Sequence, residues 1–256
     1  MEWEMHRFYL PTEKCEGASL FLSGSEAHHA LHVLRVARGE RITVLDGSGH
    51  ELLCTVQDYD RDKVRLALEE KRLVAPPPAR ITLLQAIPKG KIIESIVQKA
   101  TELGVSRIVP LLTERVATRL GEREGARKAI KWQAIAIEAI KQCGNPWLPR
   151  VEAPVTPSEF LTRQEQFDLP LIASLQGETR HPRECFETFR QAHGRQPGSI
   201  CIWIGPEGDF TPSEVQAIKS ADSLPITLGP LVLRTETAAI YCLSVLNYEL
   251  RTARQK

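Results

Sequence analysis

The sequence predicts an α/β protein in two parts: a small β-barrel, then a larger domain with a parallel sheet covered by helices. Three observations carry this. Ala75-Pro76-Pro77-Pro78-Ala79 cannot sit in a helix or central strand and favours a stiff extended linker, dividing the chain into residues 1–75 and 76–256. Before it, short apolar or alternating runs separated by turn residues read as strands. After it, apolar runs alternate with segments of helical period, the rhythm of strands joined by crossover helices.

In the first part, strands are expected at Ser19–Leu22, Arg41–Leu45, Glu51–Gln57 and Lys63–Leu68, with Asp-rich residues 58–62 turning into the last. Asp46-Gly47 follows Ile42–Leu45 as a hairpin turn, which accounts for Gly47-Ser48-Gly49 better than a nucleotide fingerprint does. One helix interrupts, from Ser25 to about Val36, with Ser23 and Glu26 at capping-box spacing.

In the second part, Ile81–Ile87 reads as a buried strand. Lys91–Leu103 reads as a helix with Ile92, Ile93, Ile96, Val97 and Ala100 on one face, and Gly104 ends it. Arg107–Leu112 is the next strand, and residues 124–142 form a helix with Ala129, Trp132, Ile135, Ala136 and Ile140 at helical spacing. Pro170–Leu175 and Ser199–Ile204 are further strands. The tetrapeptide Thr-Pro-Ser-Glu occurs at 156–159 and 211–214, supplying Thr as N-cap, Pro at the first helical position and Glu at the third. The last helix, Thr237–Arg251, buries Ala239, Ile240, Leu243, Leu246 and Leu250.

At 256 residues, with 42% apolar and 25% charged, the chain is long and apolar enough to bury the cores of two soluble domains. No apolar run approaches the roughly 18–20 residues of a membrane span. The opening Met-Glu-Trp-Glu-Met-His-Arg lacks the basic start and apolar stretch of a signal peptide, so a cytoplasmic location is expected. Six cysteines without a C-x-x-C pair are expected to be reduced thiols. Net charge is +1; residues 1–75 carry 10 Lys/Arg against 13 Asp/Glu, and residues 76–256 carry 23 against 19. Any nucleic-acid binding must therefore rest on local patches and shape rather than bulk charge.

Two segments stand out chemically. Residues 204–210 read Ile-Gly-Pro-Glu-Gly-Asp-Phe, and residues 228–239 read Leu-Gly-Pro-Leu-Val-Leu-Arg-Thr-Glu-Thr-Ala-Ala. Each breaks an apolar run with Gly-Pro and then places polar groups: Glu207 and Asp209 in one, Arg234, Thr235, Glu236 and Thr237 in the other. Open α/β sheets bind ligands just outside the carboxyl ends of their strands, so two such turns can build one site. A lone Gly-Pro is ordinarily a turn; the pair, each followed by charge, argues for function. The chain lacks G-x-G-x-x-G, GxxxxGK[ST], H-E-x-x-H and G-x-S-x-G.

His28 and His32 have metal-ligand spacing, yet no third ligand lies nearby, and no metal site is read. His28, His29, Arg35 and Arg38 share the predicted helix, and Arg7 adjoins Phe8 and Tyr9; this mixture suits phosphates and unstacked bases, with a solvated helix face as the competing reading. Lys89 and Lys91, flanking Gly90 at a helix start, suit a phosphate, with a solvated loop as the alternative. The run 139–146 ends the second helix of this part; its Gln142 and Asn145 are amides able to face a polar ligand, with a C-cap as the default reading.

In order, the chain carries Arg-Phe-Tyr, His-His-x-x-x-Val-Leu-Arg, Pro-Lys-Gly-Lys, Lys-x-Thr-Glu-Leu-Gly-Val, Ile-x-Gln-Cys-Gly, Ile-Gly-Pro-Glu-Gly and Leu-Gly-x-x-x-Leu-Arg-x-Glu-Thr-Ala. From residue 7 to about 246 this resembles the RsmE family of 16S ribosomal RNA methyltransferases, which methylate N3 of a uridine. The resemblance implies a SPOUT-type α/β domain with a trefoil knot, S-adenosyl-L-methionine bound in that knot, a PUA-like RNA-binding barrel and a homodimer acting on the small ribosomal subunit. It implies a cofactor pocket of Leu175, Gly205, Pro206, Glu207, Gly208, Leu228, Gly229, Leu233 and Thr235, with Arg234 beside it. Two departures are visible: Gln142-Cys143-Gly144-Asn145 where many members have Gln-Ser-Gly-Arg, and Asp209 where glycine is common, with only a modest change of loop expected.

The reaction asks for alignment of nucleophile, methyl and sulfur, and for a way to handle the N3 proton. Arg234 is the candidate cation for the developing uridine anion, and Glu207 the candidate proton acceptor or partner of that arginine. Two other functions fit parts of the chain: a non-catalytic RNA-binding assembly factor, against which the intact Gly-Pro turns argue, and a knotted methyltransferase acting on another RNA, against which the histidine-bearing barrel argues.

Overall fold

The computed structural model describes residues 5–115 and 121–252; the first four residues of the amino-terminal segment discussed above lie outside them. By packing, the chain divides into two units. One comprises residues up to Pro76 with Ile137–Leu148, the other Pro77–Ala136 with residues from Pro149 onward.

In the first unit, strands β1 (Arg7–Tyr9), β2 (Ser19–Ser23), β3 (Arg41–Leu45), β4 (His50–Tyr59) and β5 (Lys63–Leu73) form one sheet in the order β1-β3-β4-β5-β2. β1 pairs parallel to β3; the other pairs are antiparallel. Phe8, Leu22, Val44, Leu52 and Leu66, one from each strand, meet in a single core. Burying one face pins the register, because a one-residue slip would turn every apolar side chain outward. β2 to β5 correspond to the four expected strands. β1 has too few residues to show a period.

The expected helix at 25–36 is broken in two. Helix α1 (Gly24–His28) passes into a π-helical turn, His29–Leu34, and ends at Arg35 with φ of 55°. The capping box also fails: Ser23 makes no side-chain cap bond. Glu26 is buried, and its carboxylate instead accepts the Tyr9 amide at 3.0 Å and the Lys141 ammonium at 2.9 Å. A buried carboxylate requires charged or multiple donors, which outweigh one helix amide.

In the second unit, six parallel strands lie in the order β11-β9-β10-β6-β7-β8: β6 (Arg80–Ala86), β7 (Arg107–Leu111), β8 (Arg150–Val151), β9 (Leu169–Ala173), β10 (Ser199–Ile204) and β11 (Leu224–Ile226). The helices are α2 (Ile92–Glu102), α3 (Glu122–Cys143, whose residues from Ile137 onward belong to the first unit), α4 (Pro157–Leu161), α5 (Pro182–His193), α6 (Pro212–Ser220) and α7 (Thr235–Thr252). Both Thr-Pro-Ser-Glu segments form reciprocal capping boxes, Thr156 with Glu159 and Thr211 with Glu214. Leu84, Val109, Ile172, Trp203, Phe210 and Ile218 are buried together in a core cluster. α7 begins two residues earlier than the sequence suggests, which makes Thr235 its first residue.

None of the six cysteines is in a disulfide. Burial pushes the thiols of Cys54, Cys201 and Cys242 up to about 12. Among the described residues, no helix is long and apolar enough to cross a membrane.

Candidate functional site

Register decides where the site forms. In the second sheet, Ala173 of β9 lies beside Ile204 of β10 and Ile226 of β11, and Ile204 lies beside Gln85 of β6. Three parallel strands therefore end abreast, and the segments that follow them, from Ser174, Gly205 and Thr227, converge. They wall an open cavity of about 70 Å³, continued by Thr235 and Ala238 of α7. This is the strand-end position at which α/β sheets bind ligands.

Of the residues expected to hold a cofactor, Leu175, Gly205, Pro206, Glu207, Leu228, Gly229, Leu233 and Thr235 line the cavity. Gly208 does not; its carbonyl accepts the Arg115 guanidinium instead. Arg234 lies between two lining residues, is exposed, and makes no side-chain hydrogen bond or ion pair among the described residues. Its carbonyl accepts the Ala238 amide at 2.8 Å, opening α7. Glu207 is exposed, and its Oε1 accepts the Lys89 amide at 3.3 Å. Leu228, Leu231, Val232 and Leu233 supply apolar walls, with Leu231 73% and Val232 75% exposed. Gly229 has φ of 109°, a conformation that side-chain-bearing residues rarely adopt.

Apolar walls interrupted by strand-end backbone groups suit a ligand with a flat heterocycle and polar ends, and S-adenosylmethionine is of that kind. Among the described residues, no group of three or more His, Cys, Asp or Glu is arranged to hold a metal ion.

Two sets of hydrogen bonds in the site are absent from the sequence expectations. Gln85 is fully buried; its Nε2 donates to Thr235 Oγ1 and to Ala86 O, both at 2.9 Å, while Thr235 Oγ1 donates to Gly205 O at 2.7 Å. A glutamine inside the apolar run Ile81–Ile87 was the available signal. Asp209, with φ of 61°, accepts three N–H groups and ties the 205–210 loop to the 174–176 loop.

The residues expected to meet RNA are placed as follows. His28 and Arg35 are exposed, and His29 is half-buried with its ring edge-on to Phe8 at 6.0 Å. Arg7 Nη1 donates to the carbonyls of Lys141 (3.4 Å) and Gln142 (3.3 Å), capping the end of α3 within the first unit. Asn145 Oδ1 accepts the Trp147 amide at 3.0 Å, and Gly144 bonds back to Ile140, so this stretch is a capped helix end. Lys89 and Lys91 are exposed before α2.

Comparison with known proteins follows the same lines. Residues 75–247 match the RNA methyltransferase domain family, and residues 22–69 the RNA methyltransferase PUA domain family. Ribosomal RNA small subunit methyltransferase E of Bacillus subtilis is 31% identical over 98% of this chain and 99% of its own. A Legionella pneumophila protein described as a methyltransferase, solved with its bound cofactor S-adenosylmethionine, is 34% identical over 98% of both chains with a TM-score of 0.85. The Neisseria gonorrhoeae ribosomal RNA small subunit methyltransferase E, bound to S-adenosylmethionine, is 30% identical over 95% of this chain and 97% of its own, with a TM-score of 0.82. The chain belongs to the RNA methyltransferase family of ribosomal RNA small subunit methyltransferase E.

Proposed function

From that membership, we propose that the protein methylates N3 of a uridine in 16S ribosomal RNA of the small ribosomal subunit, using S-adenosylmethionine. The observation that carries this is the cavity at the abreast ends of β9, β10 and β11, with the Arg234 side chain, which has no partner among the described residues, between two of its lining residues. When bound, S-adenosylmethionine supplies an electrophilic methyl group on a sulfonium. The chain's own groups do the rest. The Gly205–Glu207 and Leu228–Leu233 turns seat the donor, and its position relative to the uridine supplies most of the acceleration by alignment.

Uridine N3 carries a proton that must leave. We assign Arg234 to the anion that develops over O2 and O4, and the carboxylate of Glu207 to the proton or to orienting that arginine. Glu207 is held by the Lys89 amide through Oε1 alone, which leaves Oε2 available.

For RNA, we propose residues 1–75 as a PUA-like binding domain presenting His28, His29 and Arg35, and residues 76–256 as the catalytic domain presenting Lys89 and Lys91. Arg7 contributes by bracing the helix end that carries Gln142 and Asn145. We further propose a trefoil-knotted SPOUT arrangement for the second domain, supported by the family resemblance and by the way the segments after β9, β10 and β11 line one cavity. A homodimer is supported by the exposed apolar side chains Leu231, Val232 and Tyr241, and a cytoplasmic location by the substrate.

The test is methyl transfer from labelled S-adenosylmethionine to unmodified small subunits. Glu207→Gln and Arg234→Ala should each lower turnover by roughly 10²–10³ while the protein stays folded. Wild-type rates in both variants would remove these roles.

A further inference from the structure

Asp209 bridges two of the three segments that wall the cavity. It is 9% exposed and its Cα has φ of 61°, which aspartate, asparagine and glycine tolerate. Oδ1 accepts the Phe210 amide at 2.8 Å. Oδ2 accepts the Leu175 amide at 3.4 Å and Gln176 Nε2 at 3.1 Å. The same Gln176 Nε2 donates to Phe210 O at 2.9 Å, so the loop after β9 and the loop after β10 are joined at two points. Gly205 is shaped to this bridge, since a Cβ there would stand 3.0 Å from Asp209 Oδ1.

The bridge holds Leu175 by its backbone while the Leu175 side chain, 63% exposed, forms part of the cavity wall. An apolar side chain left in water at a cavity wall has something to gain from a ligand. The carboxylate has no cationic partner among the described residues; its donors are two backbone amides and one carboxamide.

We propose that Asp209 is a positioning residue for the methyl donor: its carboxylate sets the spacing of the 174–176 and 205–210 loops before the donor arrives. This rests on the S-adenosylmethionine reading above. A preformed wall spares the ligand the ordering of two loops, so the effect belongs in donor affinity rather than in the chemical step.

Asparagine separates this role from backbone conformation. Asp209→Asn keeps size and tolerance of positive φ, but an amide cannot accept Phe210, Leu175 and Gln176 donors together. The binding probe is S-adenosylhomocysteine, the demethylated donor, followed by titration calorimetry on the full chain. In Asp209→Asn, and likewise in Asp209→Gly, Kd and the KM for S-adenosylmethionine should rise about tenfold or more, with kcat at saturation within about twofold. Gln176→Ala should weaken binding less, and adding it to Asp209→Asn should change little. A purely structural role would lower the melting temperature and leave Kd of the folded protein unchanged, and that result overturns the proposal, as does a Kd within twofold of wild type. If Asp209→Asn does not fold, Gln176→Ala decides: weaker binding supports the bridge and unaltered binding overturns it. Failure of the wild-type protein to bind the probe removes the cofactor reading and this inference with it.

Discussion

Replacing Thr235 with valine removes one hydroxyl and preserves the shape of a side chain that is 3% exposed. Two groups lose a partner. The Gly205 carbonyl loses a donor at 2.7 Å, and Gln85 Nε2 loses one of its two acceptors at 2.9 Å. Gln85 has no solvent to turn to, and its Oε1 already lacks a partner among the described residues. Each stranded buried polar group costs about 1–3 kcal/mol, and Gly205 is only half-buried, so the sum is about 2 kcal/mol. That corresponds to roughly 4–8 °C in melting temperature for a chain of this size. Gln85→Met alone should cost less, because it removes the orphaned oxygen together with the amide. The double variant should fall short of additivity by about 1 kcal/mol, since the Gln85–Thr235 bond can be lost only once. Urea unfolding midpoints at constant slope measure all three. A Thr235→Val cost under about 0.5 kcal/mol, or strict additivity, would refute the stabilising role of the Gln85–Thr235–Gly205 hydrogen bonds.

Three further outcomes are expected. Gly49 has φ of 97° and a Cβ there would sit 2.3 Å from the Trp147 ring, so Gly49→Ala should cost about 3 kcal/mol or more in urea unfolding. Gly39→Ala, with φ of 82° and nothing within 4 Å, should cost only about 1–2 kcal/mol, and equal costs would contradict the clash. Glu26→Gln leaves the Lys141 ammonium, 5% exposed, with Glu138 alone, and should destabilise by about 3 kcal/mol; adding Lys141→Met should recover part of this, whereas a larger loss in the double variant would count against a buried pair. The Arg195 guanidinium, helped by the Gly198 and Ser199 groups, holds the Asp168 carboxyl well below the usual range. A depressed folded value stabilises above the unfolded value and is lost as pH falls toward the folded one. Asp168→Asn should therefore lower the melting temperature at pH 7, with the gap to wild type narrowing below about pH 4; a gap independent of pH would show the ion pair to be idle.

Much of the fold was legible because burial and capping are local. β10 matches its apolar run at both ends, and the two Thr-Pro-Ser-Glu segments cap their helices as their spacing demands. Ser23 and Glu26 show the same spacing and form no box, because Glu26 is taken by Lys141, 115 residues away. α5 was missed: its buried Cys185, Phe186 and Phe189 sit in a strongly charged stretch. The π-helical turn at His29–Leu34 has no sequence period of its own to announce it.

The site divides the same way. The Gly-Pro turns are written at strand ends and were readable one at a time. The ties that give the cavity its form were not, because Gln85 reaches Thr235 across 150 residues and Gln176 reaches Asp209 across 33. Asp209 stood in plain view as a departure from glycine, and only the second loop shows what its carboxylate holds.

The cavity at the ends of β9, β10 and β11 is proposed to seat a methyl donor for a uridine of the small ribosomal subunit. The most direct measurement is mass spectrometry of nucleosides from small-subunit RNA after incubation with the wild-type protein and S-adenosylmethionine carrying a heavy methyl group. Heavy 3-methyluridine is expected in that RNA, forming roughly 10²–10³ times more slowly with Arg234→Ala. Heavy label on another nucleoside, or none despite donor binding, would contradict the proposal.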